Sequence, residues 1–219
     1  MKNMISKKII SQIEKEAKKY FKGAYNCHDW SHIERVKTLA LHIGRKENAR
    51  LDVLDVAVYL HDIGRNEEMK SKGAFCHAEK GAEIAKKILE NYKIPKIDAE
   101  NIVHSIQSHR YRNNHKPETL EAKVLYDADK LDAAGAVGVG RAFLFAGRVG
   151  AKLHNDFGTD IKNTKAYSRE DTAYREFVVK LSKIKDKMLT KEGRRIANRR
   201  HSFMVKFFET LKREIQGKE

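Results

Sequence analysis

The stretch "DVAVYLHDIGRN", residues 55–66, ends an apolar run with an imidazole and a carboxylate side by side, His61 and Asp62. The apolar residues predict a helix directed into the core. Neighbouring residues on a helix project about 100° apart, but at a helix end both side chains can lean toward one ion. Polar groups at the edge of a core are costly without partners. Partners for His61 and Asp62 should therefore lie elsewhere in the chain.

Two other polar side chains have the same kind of surroundings. His32 stands in the first turn of a predicted helix in "HDWSHIERV", and Asp129 stands late in another in "LYDADKLDA". Each has apolar neighbours, where an unpaired imidazole or charge is costly. A cation bound by all four side chains would compensate their loss of water together. The predicted metal ligands are His32, His61, Asp62 and Asp129.

This dispersed H…HD…D pattern resembles the HD-domain phosphohydrolase superfamily, whose metal ligands lie on a helical bundle. The resemblance covers about residues 28–132 and is closest to small stand-alone bacterial members. It is carried further by "LHDIGR", "HAEKGAEIAKKIL", "DADKLDAAGAVGVGR" and the tail "GRRIANRRHSFMVKFFETL". It implies a metal-dependent hydrolase of phosphoesters or phosphoanhydrides.

Periodicity predicts an all-α fold. The 219 residues contain only two prolines, and apolar residues recur mainly at spacings of three and four. We expect a single-domain helical bundle over 1–219, with a metal-site core at about 28–132 and C-terminal helices at about 170–216. The predicted helices are 9–21, 31–43, 51–64 with Gly64 as the stop, 76–92, 98–110, 118–132, 170–189 and 192–216, with a surface loop at 150–168.

The amino-acid composition indicates which kinds of partner the protein can bind. Lys and Arg number 45 against 30 Asp and Glu, a net charge of +15, which favours phosphates of some kind, in free nucleotides, RNA, DNA or anionic membranes. A lysine-rich surface that reflects general amino-acid usage is the alternative. No signal-peptide core and no apolar run of about 20 residues occurs, so we expect a cytoplasmic protein without a membrane partner. The two cysteines, Cys27 and Cys76, are too few for a disulfide framework, and their spacing does not support a shared zinc site.

The predicted ligand set favours one divalent ion. Two imidazoles and two carboxylates suit six-coordinate Mn, with Fe, Co, Ni or Mg as alternatives. Four protein ligands leave two positions, one for water and one for a phosphate oxygen. Such an ion would lower the pKa of the water and polarise the phosphoryl group.

Basic side chains beside the ligands are candidates for binding phosphate. Arg35 lies one helical turn from His32, Lys130 follows Asp129, and Arg65 lies three residues after Asp62. Any of them could neutralise charge that develops on the phosphoryl group. Arg35 is favoured because it points along the same helix face as His32.

A second group of histidines lies between the doublet and Asp129: His77, His104 and His109. We favour phosphate contacts for His77 and His109, although histidines in this interval bind a second metal in some superfamily members. Some such proteins with two irons are oxygenases, so that hypothesis stays open.

The catalytic acid or base is less clearly indicated. Several nucleotidase relatives carry an acid three residues after the doublet, where this chain has Arg65. The nearest carboxylates are Glu67, Glu68 and Asp132, of which we choose Glu68, with Asp62 as the catalytic ligand. His28 lies four residues before His32, but the glutamate of an HExxH motif is missing, so His28 is at best a supporting or substrate contact.

The leading hypothesis is a nucleoside triphosphate pyrophosphohydrolase or a nucleotidase. One alternative is an RNA or cyclic-nucleotide phosphodiesterase that uses the basic segment 180–200 to bind nucleic acid, with binding that weakens steeply with salt. A second alternative is a two-iron oxygenase. The oligomeric state is left open.

Overall fold

The computed structural model describes residues 4–22, 29–71, 74–111 and 115–218, and within these ranges the chain is all-α, as predicted, with no strand. Three short 3-10 segments occur at Lys19–Phe21, Ile161–Asn163 and Leu181–Lys187. The helices are α1 Lys7–Lys18, α2 Trp30–Glu47, α3 Leu51–Leu60, α4 Arg65–Lys70, α5 His77–Asn91, α6 Lys96–Ser108, α7 Leu120–Leu131, α8 Gly135–Arg148, α9 Ala173–Val179 and α10 Lys191–Ile215.

The chain falls into two compact units, Met1–Asp129 and Lys130–Glu219. The first contains α1 to α6 and most of α7, and the second contains α8 to α10. The expectation of one domain over the full chain stays a prediction.

Helix α3 is the centre of the first unit. It packs against α1, α2, α5 and α6, and from Val53 to Leu60 only Asp55 is not fully buried. A helix that is apolar on all sides has to be surrounded by other helices. The buried apolar residues of this unit also include Ile13, Ile33, Val36, Ile43, Ile88, Leu89, Ile102, Ile106 and Leu125.

Both ends of α2 have defined caps. The Asp29 carboxylate accepts a hydrogen bond from the backbone N–H of His32 at 3.3 Å, which satisfies one of the unpaired amides at the helix start. Asn48 ends the helix in the left-handed conformation, with φ of 62°. The first cap holds His32 in the first turn, as the sequence predicts.

The third predicted helix ends earlier than expected. It stops at Leu60, and the HD doublet lies in a turn before the short helix α4, which periodicity did not predict. Gly64 is not a left-handed stop, because its φ is −83°. A Cβ at Gly64 would lie 2.3 Å from the carbonyl oxygen of His77 and 2.6 Å from the nitrogen of Gly81. The glycine is therefore explained by close approach of α5.

In the second unit, the stretch rich in small residues forms α8, which packs against α9 and α10. The helix predicted over 170–189 is divided at Lys180 into α9 and the 3-10 segment Leu181–Lys187. The loop predicted over 150–168 consists of turns and bends around Ile161–Asn163. Arg175 of α9 holds this loop by donating a hydrogen bond to the Thr164 hydroxyl at 2.7 Å.

Among the helices that the structure describes, none has the length and apolar character needed to cross a membrane.

Candidate metal centre

His61 is fully buried at the C-terminal end of α3. Its Nδ1 donates to the carbonyl oxygen of Val58 at 2.7 Å, since a carbonyl can only accept. Burial lowers the pKa of the ring, so it is neutral near pH 7, and Nε2 then carries a lone pair. Within the described part of the chain, His61 Nε2 is buried and has no hydrogen-bond partner. This is the arrangement of a metal-ligating imidazole.

A first cluster of ligand atoms surrounds His61 Nε2. Nitrogen atoms of His32 and His61 and a carboxylate oxygen of Asp129 all lie within 4.8 Å of one another. His32 Nε2 is 3.4 Å from Asp129 Oδ1 and 3.6 Å from Asp62 Oδ2, which is itself 3.8 Å from His61 Nε2. Two ligands at right angles, each about 2.1 Å from an ion, lie about 3.0 Å apart. The four predicted ligands are therefore brought together at distances close to those that a bound cation needs.

A second cluster lies on the other oxygen of Asp62. Asp62 Oδ1 is 3.3 Å from His77 Nε2 and 3.6 Å from His109 Nε2, and the two nitrogens are 3.2 Å apart. All three residues are buried. Asp62 therefore directs one carboxylate oxygen toward each cluster.

The rings of the second cluster are held through Nδ1. His77 Nδ1 donates to the Glu68 carboxylate at 2.7 Å, and His109 Nδ1 donates to the carbonyl oxygen of Ile106 at 2.6 Å. Burial lowers the pKa of His109 to about 4, so this ring is neutral near pH 7. In both rings Nε2 faces Asp62, as in His61.

The predicted basic residues have different positions. Arg65 Nε donates to Asp62 Oδ2 at 2.5 Å. Burial lowers the pKa of Arg65, but the carboxylates of Asp62, Asp129 and Glu68 together outweigh burial and raise it. Arg35 donates to the Ser31 hydroxyl at 2.9 Å in the first turns of α2. Lys130 is in the last turn of α7 and belongs to the second unit, so its predicted role stays a prediction.

Glu68, the predicted acid or base, has its carboxylate engaged on both oxygens. Oε2 accepts from His77, and Oε1 accepts from Arg110 Nη1 at 2.8 Å. Burial raises the pKa of Glu68, but His77 and Arg110 outweigh burial and lower it. An ionised carboxylate has no proton to donate, and these contacts also weaken it as a base. Its catalytic role stays a prediction.

Some sequence candidates lie away from the clusters. His104 is half-buried, and its Nε2 accepts from the backbone N–H of Glu118 at 3.0 Å. Glu67 is at the surface with Lys70. Cys27 and His28 lie outside the described residues. Arg110 was missed by the sequence analysis, and its only signal is its position directly after His109.

The HD doublet and both histidine clusters lie within a segment that matches a known protein family. The model of the HD domain family matches residues 29–134, which include all six clustered side chains. The chain belongs to the HD-domain family. It is therefore an HD-superfamily hydrolase, and the resemblance inferred from the motifs is confirmed.

Full-length relatives support this assignment. The uncharacterized protein YpgQ of Bacillus subtilis is 34% identical over 194 residues, which cover 87% of this chain and 85% of YpgQ. The crystal structure of YpgQ in complex with ADP has a TM-score of 0.73 and 33% identity, covering 94% of this chain and 95% of that one. An HD-superfamily hydrolase from Bacillus thuringiensis has a TM-score of 0.75 and 25% identity, covering 95% and 97%.

A more distant likeness is limited to part of a longer protein. Ribonuclease Y of Borrelia garinii is 31% identical over 115 residues, which are 52% of this chain and only 21% of that enzyme.

Proposed function

We propose that this HD-domain protein is a metal-dependent phosphohydrolase that acts on nucleotides, either a nucleoside triphosphate pyrophosphohydrolase or a nucleotidase. The observation that carries the proposal is the convergence of His32, His61 and Asp129 with Asp62 Oδ2 in a buried cluster. Such a group of imidazoles and carboxylates is costly to bury unless a cation binds it.

The side chains fit a six-coordinate divalent ion. His61 Nε2 is a buried acceptor that lacks a protein donor among the described residues, and the donors are a mixture of nitrogen and oxygen. This mixture suits Mn²⁺ first, and Fe²⁺, Co²⁺, Ni²⁺ or Mg²⁺ as alternatives. The ion would supply an activated water and polarise the phosphoryl oxygen. The ligands proposed are His32, His61, Asp62 and Asp129.

The second cluster favours a cation over the phosphate that the sequence analysis expected there. A phosphate would face Asp62 Oδ1 and the lone pair of His109 Nε2, which repel it. A proton on His77 Nε2 could form a hydrogen bond with only one of these two acceptors. A divalent ion can bind both acceptors and the lone pair of His77 Nε2 as well. We propose Asp62, His77 and His109 as ligands of a second ion, with Asp62 between the two.

Positive side chains would hold the phosphate. Arg65 donates to Asp62 Oδ2, the oxygen that faces the first cluster, and keeps its charge, so it can balance Asp62 and stabilise negative charge on a reacting phosphoryl group. Arg35, in the α2 turn that follows His32, is proposed to contact a more distant phosphate, and Lys130 to assist. The nucleotide class is supported by the ADP complex of YpgQ, a relative of similar length.

The test is metal analysis followed by product analysis. Metal-free protein is loaded with Mn²⁺, its metal content is measured, and phosphate and pyrophosphate release is followed for nucleoside mono-, di- and triphosphates. We expect two ions per chain and metal-dependent release from one nucleotide class. One ion per chain would return His77 and His109 to phosphate binding. Absence of metal uptake would overturn the proposal.

Measurements on the same metal-loaded protein distinguish two alternative functions. The second cluster keeps the two-iron oxygenase hypothesis open, which requires two irons, oxygen consumption and no phosphate release. The partial likeness to ribonuclease Y keeps an RNA phosphodiesterase open, and a cyclic-nucleotide phosphodiesterase belongs to the same class. Cleavage of single-stranded RNA or a cyclic nucleotide without release from free nucleotides would favour it.

A further inference from the structure

A chain of side-chain contacts links the two histidines of the second cluster on their outer side. His77 Nδ1 contacts Glu68 Oε2 at 2.7 Å, and Glu68 Oε1 contacts Arg110 Nη1 at 2.8 Å. Arg110 directly follows His109 at the end of α6. The start of α5, the short helix α4 and the end of α6 are therefore joined by one carboxylate.

The contact with Glu68 decides which nitrogen of His77 faces Asp62. A carboxylate on Nδ1 keeps the proton there, fixes the ring orientation and makes Nε2 a stronger donor toward a metal. His109 receives the same support from the backbone carbonyl of Ile106. His77 depends on a side chain instead, at the first position of its helix.

Arg110 restrains that side chain. Glu68 sits on a helix of six residues and is partly exposed, with 24% of its side chain accessible, so packing alone holds it weakly. The guanidinium contacts Glu68 Oε1 and also lies 3.3 Å from His77 Nδ1. A charge-assisted hydrogen bond in this position limits the rotation of the carboxylate.

We propose that Glu68 and Arg110 form a positioning pair that presets His77 for the second cation. Glu68 then acts through His77 and does not exchange protons with the substrate. This inference rests on the proposed function, because it presupposes an ion bound by Asp62, His77 and His109. Occupancy of the second position should depend on the pair, and occupancy of the first position should not.

The test is calorimetric titration of metal-free protein with Mn²⁺, together with electron paramagnetic resonance of the loaded protein. Two Mn²⁺ ions that share Asp62 give an exchange-coupled spectrum, whereas one ion gives an isolated Mn²⁺ spectrum. For Glu68→Gln we expect the affinity of the second ion to fall about 10- to 100-fold, with the first unchanged and the isolated spectrum dominant. Glu68→Asp should recover part of the affinity.

Matched variants separate positioning from general damage. Glu67→Gln changes the neighbouring carboxylate, which is exposed and pairs with Lys70, and should leave both affinities unchanged. Arg110→Lys keeps the positive charge that pairs with Glu68 and should weaken the binding of the second ion less than Arg110→Met does. The Arg110 variants also serve if Glu68→Gln fails to fold.

Other outcomes would contradict either the positioning role of Glu68 or the second metal position. Unchanged binding of both ions by Glu68→Gln, or equal weakening of both, would overturn the positioning role while the proposed function stands. Binding of only one ion by the wild-type protein would overturn the second position, and the positioning role with it.

Discussion

His77 Nε2 and His109 Nε2 lie 3.2 Å apart, and each ring already donates its Nδ1 hydrogen to another group. When both rings are neutral, two lone pairs face each other beside Asp62 Oδ1. This arrangement is unfavourable without a cation between the three atoms.

Replacing Asp62 should remove both ions. Its two oxygens face different clusters, so Asp62→Ala removes one carboxylate oxygen from each cluster at once. We expect metal-dependent turnover to fall to background and bound Mn²⁺ to fall below one ion per chain. Circular dichroism should show near-native helical content. Full turnover in this variant would contradict the assignment.

Two histidines of α6 and its end should behave differently. His109 faces Asp62, whereas His104 accepts from the backbone of Glu118 outside the cluster. His109→Ala should lose one bound ion, and His104→Ala should keep the full metal content. Elemental analysis of the two variants prepared together decides the matter, and a metal loss shared by both would argue against the second cluster.

Metal should stabilise the folded protein. A ligand at 100 times its dissociation constant raises the free energy of unfolding by about 2.7 kcal/mol per site. Denaturant unfolding of wild-type protein, with and without Mn²⁺ at that ratio, should show this gain. Asp62→Asn, which keeps the side-chain shape, should show little of it. Equal stabilisation of the two proteins would mean that Mn²⁺ binds elsewhere.

A methyl group at Gly64 should disturb the second cluster. The new Cβ would lie 2.3 Å from the backbone oxygen of His77, so α5 has to move. We expect Gly64→Ala to destabilise the protein by about 1–3 kcal/mol and to weaken the second ion. Gly140→Ala is the control, because apart from its chain neighbours and the backbone of its own helix no described atom lies within 4 Å of its Cβ. In α8 this substitution should be neutral or stabilising by up to about 1 kcal/mol.

Arg50 should control part of the acid sensitivity of the first unit. Its guanidinium contacts the buried carboxylates of Asp52 and Asp98, each at 2.6 Å. Burial raises the pKa of Asp52, but Arg50 and the backbone amides of Ile5 and Val53 together more than offset this and lower it. A lowered folded-state pKa stabilises the protein above the unfolded pKa of about 3.9, and this contribution is lost as the pH falls toward the folded value.

Arg50→Met removes this contribution. The variant should be less stable near pH 7, and acidification from about pH 5 to pH 3 should cost it less stability than it costs the wild type. Urea unfolding across this range measures both slopes. A variant with an unchanged slope would show that Arg50 does not set the pKa of Asp52.

The sequence predicted the fold class, and local patterns also singled out the four side chains that the structure brings together in the first cluster. Their role as metal ligands stays a prediction. Apolar periodicity located most helices, and an HD doublet with His32 and Asp129 in apolar surroundings indicated a shared partner. The sequence did not predict features that depend on how close two backbone segments lie. Gly64 was interpreted as a helix stop, but its reason is the proximity of α5, which no local pattern reveals.

By itself, the sequence determined an all-α chain of the HD-domain family with four dispersed candidate ligands, since helical periodicity and motif order depend only on the order of residues along the chain. Only the tertiary structure decided which other histidines join them. His104 and His109 are five residues apart, which on a helix turns their side chains about 140° from each other. That rotation, the approach of α5 to Gly64 and the contacts of Glu68 with His77 and Arg110 direct His77 and His109, but not His104, to the Oδ1 atom of Asp62.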